Sequence, residues 1–242
     1  MKKRTSFTLV LSMAAALLLI VGGCSRKSQT FEQQRAEMVR EQLEQRGIED
    51  KSILNAFNSV PREEFVIPAY KDKAYDDLEA PIGHGESLDR PFENAVMLNA
   101  LAIKPHDKVL EVGTGSGYLS ALMSHLADKV FTIEIVPEIA NEARERLKKL
   151  HFDNVEVLTG DGFLGWPEHA PFDAIVLAAS PTRVPEPLAK QLVESGRLVL
   201  PLGGAEKFQL LVLYTKKNGK LIETAKLSPT TFVPMKGKIL EQ

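Results

Sequence analysis

The stretch Val109-Leu110-Glu111-Val112-Gly113-Thr114-Gly115-Ser116-Gly117-Tyr118 constrains this chain more than any other. A strand-like apolar segment, KVLEV from Lys108, runs into three glycines at alternate positions. A helix-compatible segment, YLSALMSHLA, follows. Glycine tolerates positive φ and lets the backbone approach a ligand closely. The start of a helix presents N–H donors without intrahelical partners. A strand, a glycine-rich turn and a helix in that order predict one unit of a parallel sheet, with a ligand at the carboxyl ends of its strands.

The same alternation continues downstream. VFTIEI (130–135) reads as a strand, PEIANEARERLKKL (137–150) as a helix, and VEVLTG (155–160) and FDAIVLAA (172–179) as strands. PEPLAKQLV (185–193) reads as a helix and RLVLPLG (197–203) as a strand. FQLLVLYTKKNGKLIETAKL (208–227) is a hairpin pattern, with Asn218-Gly219 as a favoured two-residue turn. The expected architecture is α/β, a mostly parallel, doubly wound sheet ending in an antiparallel hairpin. Upstream, a helix is expected over Phe31–Arg46 with Met38, Val39 and Leu43 on one face and Gly47 as its stop. Asp50 is placed to cap a second helix through Ile53, Leu54 and Phe57 that ends before Pro61. Prolines and glycines between 61 and 91 predict loops and short strands. A helix over Pro91–Leu101 should turn Val96, Met97 and Leu101 inward.

A chain of 242 residues suits one domain with a sizeable core. A formal charge of −2 without a basic stripe argues against nucleic acid as a partner. One cysteine rules out intrachain disulfides and any multi-cysteine metal site, and no metal is expected. His84, His106, His125, His151 and His169 are scattered and are expected to be solvated or structural. A monomer is the expectation, although nothing in the sequence fixes the oligomeric state.

The N-terminus has a different character. Lys2, Lys3 and Arg4 precede an apolar run, Phe7 to Val21, and then Gly22-Gly23-Cys24-Ser25. These are the parts of an export signal, and the run is short for a membrane span. Its end resembles the lipobox of bacterial lipoproteins, in which the cysteine is lipidated and becomes the new N-terminus. The expected organisation is a signal peptide over 1–23, a polar tether over 24–30 lipidated at Cys24, and the catalytic domain over 31–242. That places the protein in the cell envelope, held to a membrane by acyl chains. An uncleaved leader and a cytoplasmic location are the alternative.

The glycine spacing is G-x-G-x-G, whereas the dinucleotide fingerprint is G-x-G-x-x-G; Tyr118 occupies the last position. Glu111 stands just before the turn, where a carboxylate suits an ammonium group and opposes a pyrophosphate. S-adenosylmethionine carries an ammonium group and no phosphate. Glu134 ends the next strand about twenty residues after the turn, the place for an acid that binds ribose hydroxyls. Asp161, after the third strand, is placed to meet the adenine amino group. The expected cofactor-binding set is Glu111, Gly113, Thr114, Gly115, Ser116, Gly117, Glu134, Ile135, Asp161 and Gly162.

Several segments carry a more specific resemblance. AYDDLEAPIGHGESLDRP, VLEVGTGSGY, VLTGDGFLGWPEHAPFDAIVLAA, RLVLPLG and FVPMKG resemble the protein-L-isoaspartate O-methyltransferases, in order and without large gaps. The resemblance implies a Rossmann-like methyltransferase domain. It implies methylation of the α-carboxylate of isoaspartyl residues in damaged proteins, the first step of their repair. It also implies that Ser87, Leu88 and Asp89 contact substrate, with Asp89 at the catalytic position. There the family usually has serine, in a loop like GQTISQP, and this chain reads Gly85-Glu86-Ser87-Leu88-Asp89-Arg90-Pro91. An ionised Asp89 at ~4 Å in a poorly hydrated cleft would repel a substrate carboxylate by a few kcal/mol. Three readings stay open. Asp89 caps the following helix; it is neutralised by Arg90 or by protonation; or the acceptor is not isoaspartate. A methyltransferase for another acceptor and a non-catalytic cofactor-binding envelope protein are the alternatives.

Overall fold

A computed structural model describes residues 29–203 and 208–241. Cys24 and the proposed leader lie outside the described residues. Helix α1 (Phe31–Met38) opens with a capping box: Thr30 Oγ1 accepts from Gln33 N at 3.2 Å, and Gln33 Oε1 accepts from Thr30 N at 3.0 Å. The helical path runs on as a wider π turn over Val39–Leu43 and a 3₁₀ turn over Glu44–Arg46. It stops at Gly47, whose φ of 94° favours glycine. The single expected helix is thus one path with three hydrogen-bond patterns. Helix α2 (Lys51–Ser59) is capped by Asp50, which accepts from Ser52 N and Ile53 N at 2.8 and 3.3 Å.

Loops and 3₁₀ turns lead to a small antiparallel pair, β1 (Ala80–Gly83) and β2 (Glu86–Leu88). Helix α3 (Pro91–Leu101) follows, and its inward face is Asn94, Ala95, Met97, Leu98 and Leu101. Val96, expected inward, is only partly buried. Its position lies on the opposite side of the helix from Asn94, which occupies the centre of the stripe.

The main sheet is built from β3 (Lys108–Val112), α4 (Tyr118–Ser124), β4 (Lys129–Glu134), α5 (Pro137–Lys149), β5 (Val155–Thr159), β6 (Phe172–Leu177), α6 (Glu186–Lys190), β7 (Leu192–Leu202), β8 (Gln209–Lys217) and β9 (Lys220–Thr230). Its strand order is β5-β4-β3-β6-β7-β8-β9. The first five are parallel, and β7, β8 and β9 pair antiparallel. Helix α6 is shorter than expected, because Leu192 already pairs with Phe172. Both side chains are buried, and that contact starts β7 before its regular register resumes at Arg197 opposite Ala174. Asn218 and Gly219 turn the hairpin with φ of 53° and 74°, as a type I′ turn requires.

The central strands β3, β4 and β6 are buried on both faces. Along β3, Val109 joins the core beneath α1 to α4, while Leu110 and Val112 join a second core with Phe163, Trp166 and Leu188. Glu111 therefore points the same way as Val109, into an otherwise apolar layer. The winding reverses between β3 and β6, so the crevice beyond their carboxyl ends is the topological switch point.

Candidate active site

At that switch point lies a cleft of about 870 Å³, open mouth included. Gly113 and Gly115 on its floor hold φ of 96° and 51°. The turn is pinned by Gly113 N donating to Ile133 O at 2.9 Å and Gly117 N donating to Thr114 O at 2.8 Å. Gly113, Thr114, Gly115, Ser116, Glu111, Glu134, Ile135 and Gly162 all line the cleft, as do Ser87, Leu88 and Asp89. The structure thus brings together nearly the whole expected set.

Two members sit elsewhere. Gly117 lies behind the cleft at the start of α4, where a Cβ would meet Leu147 Cδ1 at 3.1 Å; its role is packing and turning. Asp161 does not line the cleft. Its carboxylate accepts from Phe163 N at 2.9 Å and from Lys238 N at 2.8 Å, so it caps a 3₁₀ turn and ties down the C-terminal segment. Each of its oxygens keeps a lone pair, and the adjoining Gly162 reaches the cleft wall. A Cβ on Gly162 would come within 2.3 Å of Val112 Cγ1, so the wall is tight there.

Glu111 is fully buried. Its Oε2 accepts from Thr132 Oγ1 at 2.7 Å and from Ser120 Oγ, while Oε1 has no partner. Burial pushes its pKa up to about 8, against the lowering by the Ser120 and Thr132 bonds, with the charge of Glu134 adding to the rise. A buried oxygen without a partner on a cleft wall is complementary to an ammonium group. The residues present therefore fit the amino acid end of S-adenosylmethionine. Glu134 differs. Its two oxygens accept from Gly115 N and Val136 N, each at 3.0 Å. Each oxygen keeps a lone pair, so the carboxylate can still receive two hydroxyl protons.

On the acceptor side, Ser87 Oγ donates to Glu79 Oε2 at 3.3 Å. Leu88 is buried and Asp89 is partly buried. Asp89 does not cap α3: Arg90 holds the N-cap position and no side chain caps that end. Arg90 is exposed, and the cation that meets this segment is Arg62, fully buried. Arg62 donates to the carbonyls of Ala74 and Asp89, each at 2.7 Å, with its guanidinium carbon 4.8 Å from the centre of the Tyr118 ring. Desolvation pushes the Asp89 pKa well above the usual carboxylate range, with Glu93, Glu79 and Glu111 acting in the same direction and Arg62 opposing.

Two contributors escaped the sequence reading. Asn94 is fully buried, lines the cleft and has no partner on either side-chain polar atom. A polar residue at the centre of an inward helical stripe was the available signal. The stretch Val233–Lys236 forms another wall. It is fixed by reciprocal bonds between Ser180 and the Val233 and Met235 backbones at 2.8 Å, and Lys236 pairs with Glu86 across the mouth at 2.9 Å. None of the five histidines lines the cleft.

Fold and cleft define a Rossmann-like nucleoside-binding enzyme of the methyltransferase class. Comparison with known proteins agrees. Residues 33–240 match the family described as protein-L-isoaspartate(D-aspartate) O-methyltransferase. A protein-L-isoaspartate O-methyltransferase of Gloeobacter violaceus is 46% identical over 82% of this chain and 96% of its own length. One from Opitutus terrae is 46% identical over 90% of this chain and 94% of its own. A solved protein-L-isoaspartate O-methyltransferase superposes with a TM-score of 0.77 at 29% identity, covering 85% of this chain and 67% of that one. A Plasmodium falciparum structure, described as a complex with S-adenosyl-L-homocysteine, gives 0.71 at 28% identity over 84% of this chain and 98% of that one. The chain belongs to the protein-L-isoaspartate (D-aspartate) O-methyltransferase family.

The raised pKa of Glu111 has a measurable consequence for the ligand-free protein. The folded state keeps a proton that the unfolded chain loses near the ordinary value of 4.5, so the contribution of Glu111 to stability declines as pH rises from there to about 8. In urea unfolding, Glu111→Gln is expected to reduce that decline and to be more stable than the parent at pH 8. Equal pH slopes for the two proteins would contradict a protonated Glu111.

Proposed function

We propose that this chain transfers a methyl group from S-adenosyl-L-methionine to the free α-carboxylate of L-isoaspartyl residues in damaged proteins, starting their repair. The observation that carries the reading is the unpaired Glu111 oxygen in the switch-point cleft of a chain belonging to this family. In this reading Glu111 receives the cofactor's ammonium group and Glu134 the ribose hydroxyls. Gly113 to Ser116 form the floor, and Ile135 and Gly162 flank the base. Asp161 acts as a positioning residue for the Gly162 turn.

The chemistry the cofactor supplies when bound is a sulfonium methyl: the acceptor's carboxylate oxygen bonds to the methyl carbon as the C–S pair returns to sulfur, giving a methyl ester and S-adenosylhomocysteine. A carboxylate is already ionised near neutral pH, so no base is needed. The protein's part is to position the acceptor and exclude water. Segment Val233–Lys236 and the β1–β2 pair serve that end, joined across the mouth by Lys236 and Glu86. Ser87, Leu88 and Asp89 form the acceptor side, and one chain suffices for the site.

Tritiated methyl transfer to an isoaspartyl peptide, yielding a base-labile product, is the expected result. A base-stable product on a different acceptor would favour the second reading, another substrate, for which the acidity of Asp89 is the motive. Cofactor binding is also expected to release close to one proton per site at pH 7 as Glu111 ionises against the ammonium. Calorimetry with S-adenosylhomocysteine in buffers of different ionisation enthalpy measures it; no release at pH 7 contradicts the Glu111 contact.

We also propose that the chain is carried to the cell envelope and anchored by lipid on Cys24. The basic start, the apolar run and Gly22-Gly23-Cys24 support this. Cys24→Ala is expected to move the protein out of the membrane fraction. A parent chain that is already soluble and carries no acyl label would favour the cytoplasmic alternative.

A further inference from the structure

Asp89 and Asn94 share one wall of the cleft, and neither is satisfied by the protein. Among the described residues, the Asp89 carboxyl accepts no hydrogen bond, although it faces a buried arginine. Arg62 gives Nε to the Ala74 carbonyl and Nη2 to the Asp89 carbonyl, leaves Nη1 without a partner, and forms no ion pair with the Asp89 side chain. The other charged groups acting on Asp89 are Glu93 on α3, Glu79 before β1 and Glu111 on β3. Three acids and one diverted cation make a poor environment for a further negative charge. Asn94 presents the complementary puzzle. A buried amide with neither atom paired costs roughly 1–3 kcal/mol for each unsatisfied group, and an apolar residue of similar size would avoid that cost. A polar side chain in such a place points to a ligand that completes it.

We propose that Asp89 works as a neutral carboxylic acid, and that its hydroxyl and the Asn94 amide are the two donors that hold the acceptor's carboxylate for methylation. This rests on the methyltransferase reading above and specifies how its acceptor is recognised. Two oxygens on the acceptor meet two donors on one wall. The Asp89 proton stays where it is throughout: the acceptor loses its negative charge to the ester as the sulfonium loses its positive charge, and no proton enters or leaves the balance. Asp89 is therefore a substrate-binding group whose protonation sorts acceptors. Neutral, it admits a carboxylate; ionised, it repels one. Isoaspartyl methylation is then supported below the Asp89 pKa and lost as pH rises through it, while the acceptor itself is ionised from about pH 4 upward.

The test uses the full chain with S-adenosylmethionine and an isoaspartyl peptide, with kcat/KM measured from pH 5.5 to 9.5. The parent is expected to lose about tenfold or more on the alkaline side. Asp89→Asn keeps a donor and cannot ionise, and Asp89→Ser likewise; the pH profiles of both should lack the alkaline loss of the parent. Asn94→Leu should raise KM by about tenfold with S-adenosylhomocysteine affinity unchanged. A carbon-13 carboxyl titration of Asp89 in the S-adenosylhomocysteine complex reads the protonation state without turnover, and it should show the proton held at neutral pH. The proposal is overturned if that resonance titrates near the ordinary value of about 4. It is also overturned if Asp89→Asn loses more than about tenfold at pH 6 while still binding S-adenosylhomocysteine, which would show an ionised aspartate at work. A parent inert towards isoaspartyl peptides overturns the functional reading instead, and the Asp89 resonance then decides its protonation state alone.

Discussion

A carboxyl group buried at the end of the central strand sets the terms for the rest of this molecule. Glu111 points into a layer otherwise filled by Val109, Leu119 and Leu122, where an unpaired charge is costly. The fold tolerates it because two hydroxyls, Ser120 from α4 and Thr132 from β4, converge on one of its oxygens. The Thr132 hydroxyl is in turn 2.7 Å from that of Thr114 in the glycine-rich turn. Strand, turn and helix are thereby linked by side chains as well as backbone. The cost left over is the other oxygen, which has no partner on a residue of the cleft wall, and the proposed ammonium contact rests on it.

Glu134 shows the opposite solution one strand away. Its carboxylate is satisfied by the N–H groups of Gly115 and Val136, so it holds the turn in shape without any ligand. It therefore fixes the position of the floor on which Glu111 opens. Asp161 does the same after the next strand: its oxygens accept from Phe163 N and Lys238 N, which fixes Gly162 and the C-terminal segment. Of the three acids after three successive strands, Glu134 and Asp161 are held by backbone N–H groups and Glu111 by side-chain hydroxyls.

That difference marks what was legible in the sequence. Strand-helix alternation, the glycine turn and the hairpin at Asn218-Gly219 were readable because each is fixed by residues close together in the chain. Glu111 and Glu134 were readable for the same reason, as each stands at a strand end beside its turn. The bond between Asp161 and the C-terminal segment was not, because its partner Lys238 N is far along the chain. The start of β7 depends on the pairing of Leu192 with Phe172, and the Val233–Lys236 wall on bonds from Ser180; neither leaves a local pattern. Asn94 did leave one, a polar residue in the middle of an apolar stripe, but its meaning depends on the cavity above it. The cap expected of Asp89 failed for a plain geometric reason: the helix begins one residue later, with Arg90 at its N-cap and Pro91 at N1.

The acidity of the cleft then acquires a single physical logic. Methyl transfer to a carboxylate brings a cation and an anion into one poorly hydrated space, and the products of the reaction are both neutral there. A wall of fixed negative charges would hold the cation and reject the anion. Burial raises the Glu111 pKa and so lowers the negative charge this wall carries, and Arg62 directs two of its donors to backbone carbonyls rather than to the acceptor side. A lysine or a freely exposed arginine at that depth would trap the anion as an ion pair and oppose its conversion to a neutral ester. The charge state of the cleft is thus set by burial, and a change that let water reach β3 would disturb both partners of the reaction at once.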